Sequence, residues 1–303
     1  MGDVLSNQTL NVEMSTVGVS GSATAVGNIV AATAQQAPIN VQSDQTVGAH
    51  VEAALSATIN GYSPYLSTGV SATGNSATAG TCCAGTTGSS LQTMQASAVA
   101  AGDVTTNTTG SVGAIGVDTS AVGNTTGWEQ INGSVQSWTG QTNQGLTTTT
   151  NTGSIATATG NTGLTATSVG NNVTGDITTA STDIGFGQDN TGTATRSTID
   201  MTIGQGADIQ ASATGVGNNI DIEATGSQIA MNATQNNTAP VTAYANMNVA
   251  SWSGDANVLA YGVGNSTVVS NAGPSNAMWT QQTTSGGDIT ANAFFTGGAG
   301  GKV

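Results

Sequence analysis

Apolar residues return at every second position in short runs along this chain. Ile209, Ala211 and Ala213 form one such run; Ile220, Ile222 and Ala224 form a second; Ile229, Met231 and Ala233 a third; and Val241 to Val249 a fourth. A period of two is that of a half-buried strand. Gly, Asn and Pro240 stand between the runs, as turn residues do between strands. The opening segment Leu10-Asn11-Val12-Glu13-Met14 alternates in the same way and is expected to form a capping strand within residues 1–20. No segment sustains a helical period, so the fold is expected to be all-β with almost no helix.

The runs repeat. Val-Gly-Asn recurs around Gly27-Asn28, Gly123-Asn124, Gly170-Asn171, Gly217-Asn218 and Gly264-Asn265, and Thr73-Gly74-Asn75 fills the one gap. The steps between these glycines are 47, 49, 47, 47 and 47 residues. Counting 18 onward from each glycine reaches Gln45, Gln92, Gln141, Gln188, Gln235 and Gln282. A fixed period of this length marks a repeat architecture whose units bury their apolar strips against each other. The two surplus residues of the 49-residue step fall between Gln92 and Gly123, and are assigned here to a small loop insertion near 103–111.

Two residues before each marked glycine stand Ala25, Ala72, Ala121, Ser168, Gly215 and Gly262. A column restricted to small side chains implies a tight interior or two backbones in close approach. The marked glycine is expected to take a φ above zero. The following Asn is expected to tolerate left-handed geometry and bond its own backbone. A β-solenoid accounts for these columns, with like residues stacked about 4.8 Å apart and amide ladders that need no charge. Forty-seven residues is long for one coil. The likeness between the run at Ile209 and the run at Ile229 suggests about two coils per repeat, hence about twelve coils and a rise of roughly 60 Å. The repeat body is drawn over residues 21–296, and Gly297 to Val303 reads as a flexible Gly-rich tail.

Charge narrows the partners. Two basic residues, Arg196 and Lys302, face 16 acidic ones, for a net charge of −14 and a pI near 4.1. Nucleic acid needs Lys and Arg on its phosphates, and anionic lipid attracts basic segments, so neither is expected. With aromatics at only 4% the alternative to a thin β-structure is disorder, and the strict period decides for β-structure. No stretch approaches the roughly 18 apolar residues of a membrane span. Met1 to Ser6 has neither the basic start nor the apolar run of a signal peptide, which fits a cytosolic chain or a mature form given a starting Met. Cys82 and Cys83 are the only cysteines. Being adjacent, they form a vicinal disulfide or stay as thiols.

Catalytic chemistry lacks an inventory. General acid–base work draws on His or on tuned carboxylates, yet His50 is alone and no basic residue precedes Arg196. No catalytic residue and no cofactor are expected. Asp208 and Asp255 repeat in phase, as do Asp176 and Glu223, but two pairs fall short of the clustered oxygen ligands calcium needs, so no metal site is assigned. The tryptophans carry the binding hypothesis. Trp138 and Trp279 both stand three residues before a Gln mark, hence on one face, while Trp128 and Trp252 do not share that column. All four are candidate platforms for stacking sugar rings, set against the reading that they fill the core.

The marks at Ala25-Val26-Gly27-Asn28, the segment Val41-Gln42-Ser43-Asp44-Gln45-Thr46 and Gly80-Thr81-Cys82-Cys83-Ala84-Gly85 resemble the D-type holdfast anchor (attachment) proteins of stalked alphaproteobacteria. The resemblance implies a secreted protein held at the outer cell surface, outer-membrane associated, that tethers an adhesive exopolysaccharide beside other holdfast anchor proteins. It supplies no active-site residues. The reading is then a non-enzymatic cell-surface structural protein that anchors a holdfast polysaccharide, here a neutral or cationic amino-sugar polymer, with self-association of chains and no nucleic acid. A glycan-recognising fibre or adhesin module is the alternative. An ice-binding solenoid, suggested by Thr148-Thr149-Thr150, ranks lower because Thr does not hold one column through the six units.

Overall fold

The computed structural model describes residues 2–303. Sixteen strands form one parallel sheet that winds into a solenoid, and no helix occurs among the described residues. The expected all-β solenoid is therefore the fold. One coil is well represented by three legs: a first leg Ala194–Gly206, a second leg Ile209–Thr225 and a third leg Gln228–Asn237, after which Val241–Trp252 begins the next coil.

The register sets the coil length. Ile209 pairs with Thr162 on one side and Ala256 on the other, and Gln235 pairs with Gln188 and Gln282. Partners thus lie one 47-residue period apart, so each repeat is one coil, not two. Six coils and a closing first leg, Ile289–Ala299, rise only about 29 Å at a strand spacing of about 4.8 Å. The two similar runs are the two halves of a single coil. Ile209, Ala211 and Ala213 join the first leg's Ile199, Met201 and Ile203 in one core cluster. Ile220, Ile222, Ile229 and Met231 form a second cluster between the far half of the second leg and the third leg. Each run meets an opposing leg inside its own lobe, and this gives both the same alternation.

The Gly-Asn mark is the corner between the lobes. Odd-numbered residues point inward from Ile209 to Gly217, even-numbered ones from Asn218 to Ala224, and Gly217 and Asn218 are both buried. Two consecutive inward residues turn the strand without breaking it. Contrary to expectation, none of the marked glycines or asparagines has a positive φ. The glycine is required by a neighbour instead. A Cβ on Gly27, Gly123 or Gly170 would lie 2.5, 2.5 or 2.6 Å from the carbonyl oxygen of the marked glycine in the next coil.

Three boundary expectations change. The surplus residues of the long step sit at 95–98, where Gln95 to Ala98 closes a turn through the Ala98 N–H and the Gln95 carbonyl (2.9 Å), in place of the two residues at Gly48 and Ala49 one coil earlier. Residues 103–111 belong to the strand Val99–Asn143, interrupted only by a register shift between Thr108 and Ser111. At the N-terminus, Val4–Val12 is the first rung of the first leg, paired residue for residue with Val51 to Ile59, and not a separate cap. At the C-terminus, Gly297 and Ala299 pair with Val249 and Ser251, and Lys302 bridges to Asp255, so the Gly-rich segment continues the sheet.

Candidate functional site

Two ladders of buried amides run through the waist between the lobes. Nδ2 of Asn28 donates to Oδ1 of Asn75, and the same bond links Asn75, Asn124, Asn171, Asn218 and Asn265 at 2.7–2.8 Å. The second proton of each Nδ2 crosses the coil to a third-leg carbonyl 18 residues on, as from Asn171 to Asp189 (2.9 Å) and from Asn218 to Asn236 (2.8 Å). The glutamines answer from the other wall. Nε2 of Gln92 donates to Oε1 of Gln45, and Gln141, Gln188, Gln235 and Gln282 follow at 2.6–2.9 Å. Gln45, Gln92, Gln141, Gln188 and Gln235 each also reach a second-leg carbonyl of the next coil, as Gln141 reaches Asn172 (2.8 Å), while Gln282 donates to the Thr267 hydroxyl (3.1 Å). The asparagine donors point toward the C-terminal end and the glutamine donors toward the N-terminal end, so the side-chain dipoles of the two ladders oppose one another. Buried amides that are fully bonded in this way fix register without charge. These marks build the scaffold; they are buried through the middle coils and reach the surface only at the end rungs, where Asn28 and Asn265 are half-buried and Gln282 is exposed.

Function therefore falls to the outward columns. In the third leg, Gln42, Ser89, Trp138, Gly185, Asn232 and Trp279 stack in one column. Trp138 is 48% exposed and Trp279 53%. The other two tryptophans are packing residues. Trp128 points inward, 6% exposed, into the second lobe, with Ala79 and Gly175 above and below it leaving room for the indole. Trp252 meets Phe295 edge to face with ring centroids 4.9 Å apart and joins the first lobe. Trp128 nonetheless lines an acidic groove, and Trp252 is half-buried.

A second outward column collects acid. Glu129, Asp176 and Glu223 are consecutive rungs of the second leg. With Asp221 they line an open groove of about 520 Å³ that Gly127, Trp128, Thr174 and Gly175 also line. The sequence pairing of Asp176 with Glu223 missed Glu129, although it too stands six residues after its marked glycine. Asp208 and Asp255 stack at a corner, where Asp208 Oδ1 accepts the Asp255 N–H (2.9 Å). Among the described residues no group of three His, Cys, Asp or Glu side chains is arranged to hold a metal ion.

Asp103, on the outer side of the first leg, is the one carboxyl clearly displaced. Burial pushes its pKa above the ordinary 3.8, Thr150 opposes this by donating a hydrogen bond, and Glu52 adds to the rise. His50 is exposed at the start of a first leg, and its main-chain N–H donates to Asp3 Oδ1 (3.1 Å). Cys82 and Cys83 are joined to each other in the turn between second and third legs. No nucleophile–base pair is assembled from these residues. What the surface offers is contact: stacked carboxylates, stacked amides and two exposed indoles.

No curated protein and no solved structure matches the chain. A family model does: over residues 13–287 the sequence matches holdfast attachment protein D, and the chain belongs to that family.

Proposed function

We propose that this protein is a non-enzymatic anchor that joins an adhesive holdfast polysaccharide to the outer cell envelope. As a holdfast attachment protein it is an attachment component; the polysaccharide contact and the envelope location are the finer reading. The observation that carries it is the in-register surface. Every outward position recurs at about 4.8 Å, so weak contacts are offered many times over and their combined avidity exceeds that of one. The net charge of −14 against only two basic residues favours a neutral or cationic amino-sugar polymer over an anionic one. Among the described residues the strands of the first and last coils are paired on one side only, and strand edges of this kind support self-association and docking of other anchor proteins.

The test is retention on immobilised glycans. The protein should be held by a glucosamine polymer and released as salt rises past the point where screening acts within about 8–10 Å. Stronger retention on an anionic glycan, or retention indifferent to salt, would remove the charge argument.

A further inference from the structure

The indole of Trp138 is seated on the sheet. A Cβ on Gly140, two residues on in the same strand, would lie 2.5 Å from Cη2, and one on Gly185, in the next coil, would lie 2.8 Å from Cδ1. Only glycine at both places lets the ring lie flat across two coils. One face of the indole is thus fixed by backbone and the other is open, the side chain being 48% exposed. Its orientation is settled before any ligand arrives, which spares the ordering cost of binding. The ring borders a groove of about 440 Å³ whose outward polar lining is Gln136, Asp183 and Asn232, all three exposed. A flat aromatic wall with a few convergent polar groups is the composition of a small-ligand site.

We propose that this face is a subsite for one pyranose ring bearing a free amine, an inference that rests on the polysaccharide reading above. The apolar face of the sugar lies on the indole, Gln136 and Asn232 meet its hydroxyls, and the ammonium group pairs with Asp183 while staying within reach of the ring's negative face. Trp279 occupies the same column three coils on, about 14 Å away at the strand spacing. A glycan running along the solenoid axis reaches both indoles, whereas a monosaccharide reaches one.

Titration of the full chain with glucosamine hexamer, followed by tryptophan fluorescence and calorimetry with cellohexaose as the neutral counterpart, tests this. Trp138→Ala should weaken hexamer binding at least tenfold at an unchanged melting temperature, and Trp138→Tyr should restore most of it. Asp183→Asn should weaken the glucosamine hexamer severalfold and leave cellohexaose unaffected. Gly185→Val, which lifts the ring without removing it, should behave as Trp138→Ala does. Binding by Trp138→Ala within twofold of the parent protein overturns the subsite. If that variant is also retained normally on the glucosamine polymer, the anchoring role stands without the subsite; if the parent protein itself is not retained, the polysaccharide reading falls with it.

Discussion

Replacing Asn171 by Leu removes one rung from the middle of the asparagine ladder with little change of shape. Asn171 is wholly buried. Its Nδ2 donates to Asn218 Oδ1 (2.8 Å) and to the Asp189 carbonyl (2.9 Å), and its Oδ1 accepts from Asn124 Nδ2 (2.8 Å). Three partner groups lose a bond: the amides of the wholly buried Asn124 and Asn218, and the part-buried Asp189 carbonyl. At roughly 1–3 kcal/mol for each group left unpaired, the loss is about 3–9 kcal/mol. Burying a leucine side chain returns about 1.5–3 kcal/mol, which leaves a net destabilisation of about 1.5–6 kcal/mol. The matched control is Asn265→Leu in the last coil. Asn265 also donates to a carbonyl, that of Thr283 (2.7 Å), and accepts from Asn218 (2.7 Å), but it is only half-buried and has no further rung beyond it. Water can replace what Asn265 itself loses, and only the buried Asn218 Nδ2 is left without its acceptor, so the expected cost is about 1–2 kcal/mol. Urea titration of both variants, read by circular dichroism and by tryptophan fluorescence, gives the comparison; coincidence of the two probes checks that unfolding is cooperative enough for midpoints to be compared. Equal midpoint shifts for Asn171→Leu and Asn265→Leu would refute the claim that the buried ladder, and not the bare presence of Asn, holds the coils together.

Two further outcomes follow from the same geometry. Gly217→Val drives a side chain against the Gly264 carbonyl and Asn237 Oδ1 and should cost about 1–3 kcal/mol by overpacking, whereas Thr225→Val, at an exposed position, should stay within about 0.5 kcal/mol; melting temperatures of the two variants decide it. Asp103→Asn should raise the melting temperature at pH 7. The folded-state pKa of Asp103 lies above its ordinary 3.8, so in the window between them the native state holds more protons than the unfolded one and stability falls as pH rises. The advantage of Asp103→Asn should therefore shrink on acidification and disappear below the ordinary value, and an advantage constant with pH would count against burial of the charge as its cause.

The sequence revealed the scaffold more fully than the surface because the two obey different rules. An amide ladder needs the same residue at every rung, so Asn28 to Asn265 and Gln45 to Gln282 announce themselves by period alone. The number of coils per period was hidden, since two lobes of one coil alternate as two stacked coils would, and only the pairing of Ile209 with Ala256 separates the cases. The role of the marked glycine was misread for a related cause. Local sequence suggests backbone conformation, whereas the demand comes from a carbonyl 47 residues away. Parity could have sorted the tryptophans. Trp128 lies four residues after the inward Asn124, on the inward parity of its leg, while Trp138 lies three before the inward Gln141 and so faces out. The seat under Trp138 was not legible, because Gly140 and Gly185 become neighbours of one ring only when consecutive coils are laid side by side.

The same stacking explains why the chain carries so few charged residues. In a parallel in-register solenoid every outward residue faces its counterpart about 4.8 Å away. Two like charges at that distance repel by about 0.9 kcal/mol even in water, so a charge repeated in every coil would accumulate cost along its column. Charged residues make up only 6% of the chain, and most outward columns are built from Thr, Ser, Asn and Gly. The stack of Glu129, Asp176 and Glu223 departs from that economy with no basic residue beside it in the groove. Its repulsion is relieved whenever a cation lies along the column, and a polymer of amino sugars supplies cations in a row. Neutralising the middle rung as Asp176→Asn should therefore stabilise the free protein slightly, by up to about 1 kcal/mol, while loosening its hold on a glucosamine polymer at low salt. A variant that gained stability with undiminished retention would separate the acidic column from binding and leave the indole face to account for it.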